Sequence, residues 1–319
     1  MSVNPADQKI AVFGGGIMGR GICQAFLMGG YKVHLCSRTS RTILSAEAHI
    51  RASLENLQIY GLLKDAKDAM SRLTTGTDKA EALDGAMMLM EVISENLELK
   101  KSFFAECEKY ADPEAIFASN TSHLDPEAIF ADLDTKHRCL IAHWFNPAQL
   151  MPLVEVAKLS YTDPVYWEKT VAMLKDAGKV AVKIKRPIQG LLINRLFTAL
   201  IREACYLNDL GIADVEEIDE AIKASIGIRN FCIGVFKTID LGGLIDWHAC
   251  LELLLPLMDN TARPPASMTK MVYEGFDGIK MGEGYYKYDV AFNSTDMDAE
   301  LLARDDMLMR LLKLQGKQW

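Results

Sequence analysis

Long apolar segments are absent from this sequence of 319 residues. A membrane-spanning helix needs roughly 18 uninterrupted apolar residues, and the most apolar candidate, residues 191–201, contains Asn194 and Arg195. The first residues, Met1 to Asp7, also lack a basic stretch followed by an apolar one. We therefore expect neither a secretory signal nor a membrane anchor, and we expect a cytoplasmic protein.

Positive charge is also scarce, with 35 lysines and arginines against 43 aspartates and glutamates. The formal net charge of −8 disfavours a nucleic-acid-binding protein, because such proteins hold phosphates with clustered basic residues. The seven cysteines are scattered and lack the spacing of metal ligands, so we expect reduced thiols and no metal site. The sequence has the composition of an ordinary globular protein, with 50% hydrophobic residues. Its length corresponds to about two domains.

Short apolar runs alternate with helix-like segments along the first part of the chain. The run from Lys9 to Phe13 ends in three glycines, an amphipathic stretch covers residues 17–28, and a second run covers residues 31–35. This order of strand, glycine turn, helix and strand is a βαβ unit. Because the alternation continues to Ile184, it predicts an α/β fold, a doubly wound, mostly parallel sheet with helices on both faces.

The pattern changes near Pro187, after which the apolar spacing is mostly helical. We therefore predict an α/β domain over residues 1–187 and an all-helical domain over residues 188–319. Within the second domain, residues 291–319 form a charged amphipathic tail without an assigned role.

The glycines after the first apolar run fit the G-x-G-x-x-G pattern of dinucleotide-binding proteins. Gly14 permits a tight turn, Gly16 lets the backbone approach a pyrophosphate, and Gly19 lets the helix pack close to the strand. The helix begins with Ile17 and Met18, and the free amide groups at its N-terminus favour an anion. The pattern alone is weak, but here it follows a strand and begins a helix, so it predicts a dinucleotide site.

The end of the second strand distinguishes the two nicotinamide cofactors. NAD-binding proteins usually place an acidic residue there, about 20 residues after the glycines, to bind the ribose hydroxyls. This chain has Ser37 and Arg38 instead, and no acidic residue follows before Glu47. Both side chains can donate hydrogen bonds to a 2′-phosphate, which favours NADP(H) over NAD(H). The alternative is that Arg38 is a solvated surface residue and backbone groups hold the ribose.

Polar residues follow two further apolar runs. Ser122 lies after the run 116–118, and His143 follows the run 140–142. Ligands bind at the carboxyl ends of strands in open α/β sheets, and an imidazole exchanges protons near neutral pH. Glu155 lies 12 residues after His143 inside an apolar strand, where a carboxylate is costly unless it is paired. Spacing alone leaves open a catalytic pair, or a core histidine with a solvent-facing glutamate.

A set of motifs in one order resembles the L-3-hydroxyacyl-CoA dehydrogenase family, which also covers L-gulonate 3-dehydrogenase/lambda-crystallin-like and carnitine dehydrogenase-like members. The motifs are Gly14–Gly19, Glu95-Asn96-Leu97, Ser119–Ser122, His143–Pro147, Leu153–Val156, Asn194-Arg195-Leu196 and residues 282–288. The resemblance runs from residue 9 to residue 289. It implies a Rossmann-type NAD(P)-binding first domain and a helical second domain that makes a dimer contact, so we expect a homodimer.

The resemblance also assigns roles to single residues. It implies that His143 is the catalytic acid/base and that Glu155 is its partner. Ser122 and Asn194 would bind the substrate oxygen or position the histidine. The residues that it places near the nicotinamide nucleotide are Glu95, Lys100, Asn146 and Lys280. We therefore expect an NAD(P)-dependent oxidoreductase that interconverts an L-3-hydroxyacyl substrate and its 3-oxo form by hydride transfer.

Departures from the family pattern concern the substrate. Members that use acyl-CoA carry a serine and then a lysine-rich run that clasps the CoA; Ser53 matches the serine, but Tyr60 stands at the key lysine. The usual Pro-Gly-Phe is Gln189-Gly190-Leu191, and the usual Gly-Pro-Phe is Gly234-Val235-Phe236. An acyl-CoA and a small free 3-hydroxy acid or related alcohol are therefore both open as substrates.

Two other functions fit parts of the sequence. β-Hydroxyacid dehydrogenases related to 6-phosphogluconate dehydrogenase use a lysine four residues before an asparagine, but Gly190 occupies that place before Asn194. A non-catalytic crystallin-like or nucleotide-sensing protein has no need to keep Ser122, His143, Glu155 and Asn194 together. Both functions are therefore less favoured than the dehydrogenase.

Overall fold

The apolar runs of the first part of the chain form one eight-stranded sheet in the computed structural model, which describes residues 4–288 and 294–317. The strands are β1 (Lys9–Phe13), β2 (Lys32–Cys36), β3 (Leu73–Gly76), β4 (Ala86–Glu91), β5 (Ile116–Ser119), β6 (Cys139–Trp144), β7 (Leu153–Lys158) and β8 (Val180–Ile184). Their order is β3-β2-β1-β4-β5-β6-β7-β8, and every neighbouring pair is parallel except β6 and β7. The predicted doubly wound, mostly parallel sheet is confirmed, with one antiparallel pair that the apolar pattern did not reveal.

The chain divides into two compact units. The first contains the sheet and comprises the described residues up to Asn194 together with residues 302–317, and the second comprises the described part of Arg195–Leu301. The helices of the first unit are α1 (Ile17–Met28), α2 (Ser40–Ile59), α3 (Ala66–Ser71), α4 (Lys79–Leu83), α5 (Leu97–Cys107), α6 (Pro126–Phe130) and α7 (Pro164–Asp176), and α8 (Ile193–Asp209) begins within it.

Strand β1 shows why the strands of this sheet are continuous apolar runs. Ile10 and Val12 pack into one hydrophobic cluster, whereas Ala11 and Phe13 pack into another. Consecutive side chains of a strand point to opposite faces of the sheet. Because each face has its own cluster, the sheet is buried on both sides, as parallel sheets generally are.

The second unit is helical, as predicted. It contains most of α8, followed by α9 (Val215–Ala221), a π-helical segment (Ile222–Gly227), α10 (Ile228–Cys232), α11 (Val235–Gly242), α12 (Leu244–Leu254) and α13 (Ala266–Tyr273). In both described stretches of the chain, no helix is long and apolar enough to cross a lipid bilayer.

The described C-terminal segment, residues 302–317, belongs to the first unit. Met309 and Leu312 belong to the last helix, α14 (Ser294–Leu314), and are buried in the same hydrophobic cluster as Leu57 of α2. The hydroxyl of Tyr60, just after α2, donates a hydrogen bond to the Asp306 carboxylate. From the sequence, residues 291–319 were assigned to the helical domain. An amphipathic pattern indicates that a helix has an apolar face, but it does not indicate which surface that face contacts.

Candidate active site

The turn between β1 and α1 has glycine where backbone contacts require it. Gly14 has a φ of +118°, and a Cβ there would lie 2.5 Å from the carbonyl oxygen of Val92. A Cβ on Gly19 would lie 1.7 Å from the carbonyl oxygen of Gly14, so α1 packs directly against the turn. A Cβ on Gly16 would have no described atom within 4 Å, which leaves room for a pyrophosphate at the helix N-terminus.

A cavity of about 420 Å³ opens beside this turn. The side chains and backbone that line it include the predicted cofactor residues Gly16, Ile17, Met18, Gly19, Glu95 and Lys100, and also Ser122. The open glycine turn, the helix N-terminus and the cavity together fit a nicotinamide dinucleotide.

The end of β2 presents a hydroxyl and a guanidinium group. Ser37 follows the strand directly, and its amide donates to the carbonyl oxygen of Gly76 at 3.2 Å. Arg38 is exposed beside it. The hydroxyl of Thr39 then accepts from the Thr42 amide at 3.2 Å and caps α2. This end of the strand therefore offers hydrogen-bond donors and no carboxylate from its own residues.

A buried ion pair anchors the predicted cofactor residue Lys100. Its ammonium donates to Glu91 Oε1 at 2.6 Å, and the two side chains are 1% and 0% exposed. Glu95 Oε2 lies 3.2 Å from the same ammonium. The hydroxyl of Ser119 donates to the other oxygen of Glu91. Because a buried charge needs partners, this network holds the end of β4 and the start of α5 in one arrangement.

Glu95 also holds the loop after β5. Its Oε1 accepts from the Thr121 hydroxyl at 2.6 Å, the Ser122 amide at 3.0 Å and the His123 amide at 3.1 Å. Burial works to raise the pKa of Glu95, but these hydrogen bonds and the nearby Lys100 ammonium outweigh it and lower the pKa to about 2. The ionised carboxylate of Glu95 therefore stabilises the loop that carries Ser122.

Replacing Glu95 by glutamine is expected to weaken the acid dependence of stability. The pKa of Glu95 in the folded protein lies below its ordinary value of 4.5, so its stabilisation is complete above about pH 4.5 and is lost as the pH falls towards 2. The shift corresponds to about 3 kcal/mol at full strength, and solvent screening of this partly exposed side chain reduces it to about 1–2 kcal/mol. Urea unfolding at a series of pH values measures the difference.

The control for this prediction is Glu98→Gln, at an exposed position in the first turn of α5, three residues after Glu95. The difference in unfolding free energy between wild type and Glu95→Gln must shrink as the pH falls from 4.5 to 2. A difference that is constant over this range contradicts the prediction.

His143 and Glu155 face each other across the antiparallel pair of strands. The register pairs His143 of β6 directly with Glu155 of β7. His143 Nδ1 lies 2.8 Å from Glu155 Oε2, and the two side chains are 6% and 0% exposed. Because Nδ1 is bonded to the carboxylate, Nε2 is the nitrogen that can exchange a proton with a substrate.

The second oxygen of Glu155 is held by the start of α8. It accepts from the amides of Leu192 at 3.0 Å and Ile193 at 2.8 Å. Unpaired amides at a helix N-terminus favour an anion. The alternative in which Glu155 faces solvent therefore does not hold. Asn194 follows these two residues directly, so the same contact also holds the helical turn that carries Asn194.

Lys179 holds the loop that connects the strands of His143 and Glu155. Its ammonium donates to three carbonyl groups of the loop 148–151, at 2.8, 3.2 and 3.0 Å. Burial lowers the pKa of Lys179 to about 7, and the charge of Lys317 adds to this effect. The sequence pattern did not single out this residue, because one lysine before a strand is typical of a solvated position.

The remaining predicted residues lie apart from these contacts. Ser53 is half-buried in α2, and Asn146 is exposed and precedes a cis peptide bond to Pro147. Lys280 belongs to the second unit, where it pairs with Asp277 at 2.9 Å. Their roles stay predictions. Among residues 4–288 and 294–317, no group of three or more histidine, cysteine or acidic side chains is arranged to hold a metal ion.

Comparison with known proteins matches both parts of the chain. The model of the 3-hydroxyacyl-CoA dehydrogenase NAD-binding domain matches residues 9–187, and that of the C-terminal domain matches residues 190–288. The lambda-crystallin of Oryctolagus cuniculus is 32% identical over 323 residues, which cover 98% of each chain. The mitochondrial hydroxyacyl-coenzyme A dehydrogenase of Rattus norvegicus is 34% identical over 295 residues, which cover 88% of this chain and 91% of the relative.

A solved structure supports the fold. The crystal structure of 5-formyl-3-hydroxy-2-methylpyridine 4-carboxylic acid 5-dehydrogenase superimposes with a TM-score of 0.89 and 23% sequence identity. The superposition covers 98% of this chain and 99% of the other. The two domain models and the two relatives establish that the chain belongs to the 3-hydroxyacyl-CoA dehydrogenase family, whose members are NAD-dependent dehydrogenases that act on CH–OH groups.

Proposed function

We propose that this chain interconverts an L-3-hydroxyacyl substrate and its 3-oxo form, with His143 as the acid/base. The observation that carries the proposal is the buried hydrogen bond between His143 Nδ1 and Glu155. A carboxylate that is itself held by two backbone amides orients the imidazole and stabilises its charged form. Such an arrangement is typical of a general acid/base rather than of a core histidine.

The residues of the chain have distinct tasks in this reaction. The bound cofactor supplies or accepts the hydride at the reacting carbon. In the reducing direction, the imidazolium of His143 gives its Nε2 proton to the substrate oxygen as the carbonyl becomes an alcohol. In the oxidising direction, the neutral imidazole takes that proton, and Glu155 stabilises the imidazolium that forms. Ser122 and Asn194 bind the substrate oxygen and keep it within reach of His143.

The proposed cofactor is NADP(H) rather than NAD(H). Ser37 and Arg38 support this choice, because a hydroxyl and a guanidinium group at the end of β2 match the hydrogen-bonding needs of a 2′-phosphate. No metal ion takes part in the proposed reaction.

The contact between Tyr60 and Asp306 favours a substrate without CoA. Tyr60 stands where the family resemblance expects a lysine for the CoA, and its hydroxyl is bonded to a carboxylate. Met309 and Leu312, on the same helix as Asp306, are buried in the hydrophobic cluster that contains Leu57 of α2. This surface therefore offers a negative charge where an anionic CoA would need a positive one. A small free 3-hydroxy acid or its 3-oxo form is the substrate that these contacts support.

A comparison of substrates tests this choice. With NADPH, the kcat/KM for a series of free 3-oxo acids is expected to exceed that for acetoacetyl-CoA by about 10-fold or more, because a charge-assisted hydrogen bond to the CoA is missing. Asp306→Asn is the matched variant. It should raise kcat/KM for acetoacetyl-CoA and leave kcat/KM for the free 3-oxo acids unchanged. A 10-fold preference for acetoacetyl-CoA would show that the substrate carries CoA, and absence of turnover with every substrate would favour a non-catalytic crystallin-like protein.

The proposal includes a homodimer in the cytoplasm. Large apolar side chains are exposed on the second unit, among them Phe236 at 85%, Ile245 at 85% and Tyr273 at 87%. Exposed apolar surface of this kind is typical of protein–protein contacts, which supports a second copy of the chain as the partner. The seven cysteines are free thiols, and free thiols are usual in a reducing compartment.

A further inference from the structure

His123 is a histidine that lines the cofactor cavity and has no role in the proposed function. It lines the cavity together with Ser122, and its Nδ1 lies 2.6 Å from Ser122 Oγ. In the proposed function, Ser122 binds the substrate oxygen. A partner that sets the direction of the Ser122 hydroxyl therefore sets what this serine can bind.

The backbone of His123 is anchored on both sides. Its amide donates to Glu95 Oε1 at 3.1 Å, and its carbonyl oxygen accepts from the Gln189 side chain at 2.9 Å. Gln189 precedes the segment that bonds to Glu155, so this contact links the loop of Ser122 to the start of α8. Because both anchors are backbone groups, replacing the imidazole leaves them in place, and the effect of the ring can be measured separately.

The hydrogen bond between the two side chains has two possible directions. If Ser122 donates its single proton to Nδ1, only lone pairs of the serine remain, and these cannot bind a carbonyl oxygen. If Nδ1–H donates to Ser122, the serine proton is available for the substrate. A carbonyl or developing alkoxide oxygen accepts hydrogen bonds only, so the second direction is the one that stabilises the transition state.

We propose that His123 is a positioning residue that donates from Nδ1 to Ser122 and so makes Ser122 the hydrogen-bond donor to the substrate oxygen. This inference rests on the proposed function. It adds a residue that acts on the reaction through Ser122 and does not itself touch the reacting atoms. Without this partner, the Ser122 side chain would populate several rotamers, and only some of them direct its proton at the substrate.

The test is a double-mutant cycle with NADPH and the best 3-oxo acid. His123→Leu is expected to lower kcat by about 10-fold, the effect of one oriented hydrogen bond, with little change in KM or in the Kd for NADPH. His123→Asn, which places an amide near the position of Nδ1, should recover most of this loss. In a Ser122→Ala background, His123→Leu should have almost no further effect, because the hydroxyl that it orients is gone.

The outcomes separate this inference from the proposed function. His49→Leu is the matched control, since His49 is a histidine on the outer part of α2 that bonds to the carbonyl oxygen of Ser45. If His123→Leu keeps full activity, or lowers kcat equally with and without Ser122, the inference is wrong while the proposed function stands. If Ser122→Ala itself has no effect, the role of Ser122 in the proposed function fails, and the inference fails with it.

Discussion

Replacing His143 by glutamine is expected to lower kcat by about 10²–10⁴-fold, the usual contribution of a placed acid/base, while NADPH binds as before. Glutamine offers an amide in place of the imidazole and cannot carry the proton that the substrate oxygen gains or loses. Glu155 keeps its two backbone hydrogen bonds from Leu192 and Ile193, so the buried carboxylate does not lose all its partners. Stopped-flow or steady-state kinetics measure the loss, and fluorescence titration measures cofactor binding.

The control for this variant is His137→Gln, at an exposed histidine shortly before β6. Its kcat is expected to equal that of the wild type, because His137 lies outside the His143–Glu155 pair. If His143→Gln retains more than a tenth of the wild-type kcat, His143 is not the acid/base.

Replacing Ser37 by aspartate is expected to reverse the cofactor preference. The wild type should prefer NADPH. The variant should lower the ratio of kcat/KM for NADPH to kcat/KM for NADH by about 100-fold, because the 2′-phosphate loses a charge-assisted hydrogen bond and is also repelled by the carboxylate. A carboxylate at this position repels a 2′-phosphate and accepts hydrogen bonds from the ribose hydroxyls of NADH. Initial rates with each cofactor at varied concentration give the ratio.

A charge-matched control separates this effect from a change in net charge. Ser102→Asp adds the same charge at an exposed position on α5 and should leave the cofactor ratio unchanged. A wild-type preference for NADH above tenfold would overturn the choice of NADP(H), and the ribose would then be held by other groups.

The sequence was sufficient to predict the sheet and the glycine turn because both depend on local patterns. A strand buried on both faces has to be apolar along its length, as β1 is, and a close approach between helix and turn excludes any residue larger than glycine at Gly19. The helical spacing of the apolar residues after Pro187 likewise predicted the helical second domain, which the family resemblance also implies. The direction of β7 was not predictable in the same way, since an apolar run is equally suited to a parallel or an antiparallel neighbour.

The contacts around the candidate site depend on residues far apart in the chain. Tyr60 and Asp306 are separated by 246 positions, and His123 and Gln189 by 66 positions. The sequence marked Tyr60 and Gln189 only as departures from family motifs and gave no role to Asp306 or His123. No local pattern indicated the partner of any of the four. They meet only because Met309 and Leu312 of α14 pack into the same cluster as Leu57, and because the segment before α8 contacts the loop after β5.

The sequence by itself determined which chemistry is available: a glycine turn for a dinucleotide, an imidazole, and a carboxylate inside an apolar strand. Only the tertiary structure decided that the carboxylate reaches the imidazole, because the antiparallel register of β6 and β7 sets His143 opposite Glu155. It also decided what holds that carboxylate, since the amides at the start of α8 approach Glu155 only in the folded chain. The physical reason is that residue types are local, whereas hydrogen-bond partners across a sheet are chosen by the packing of the whole unit.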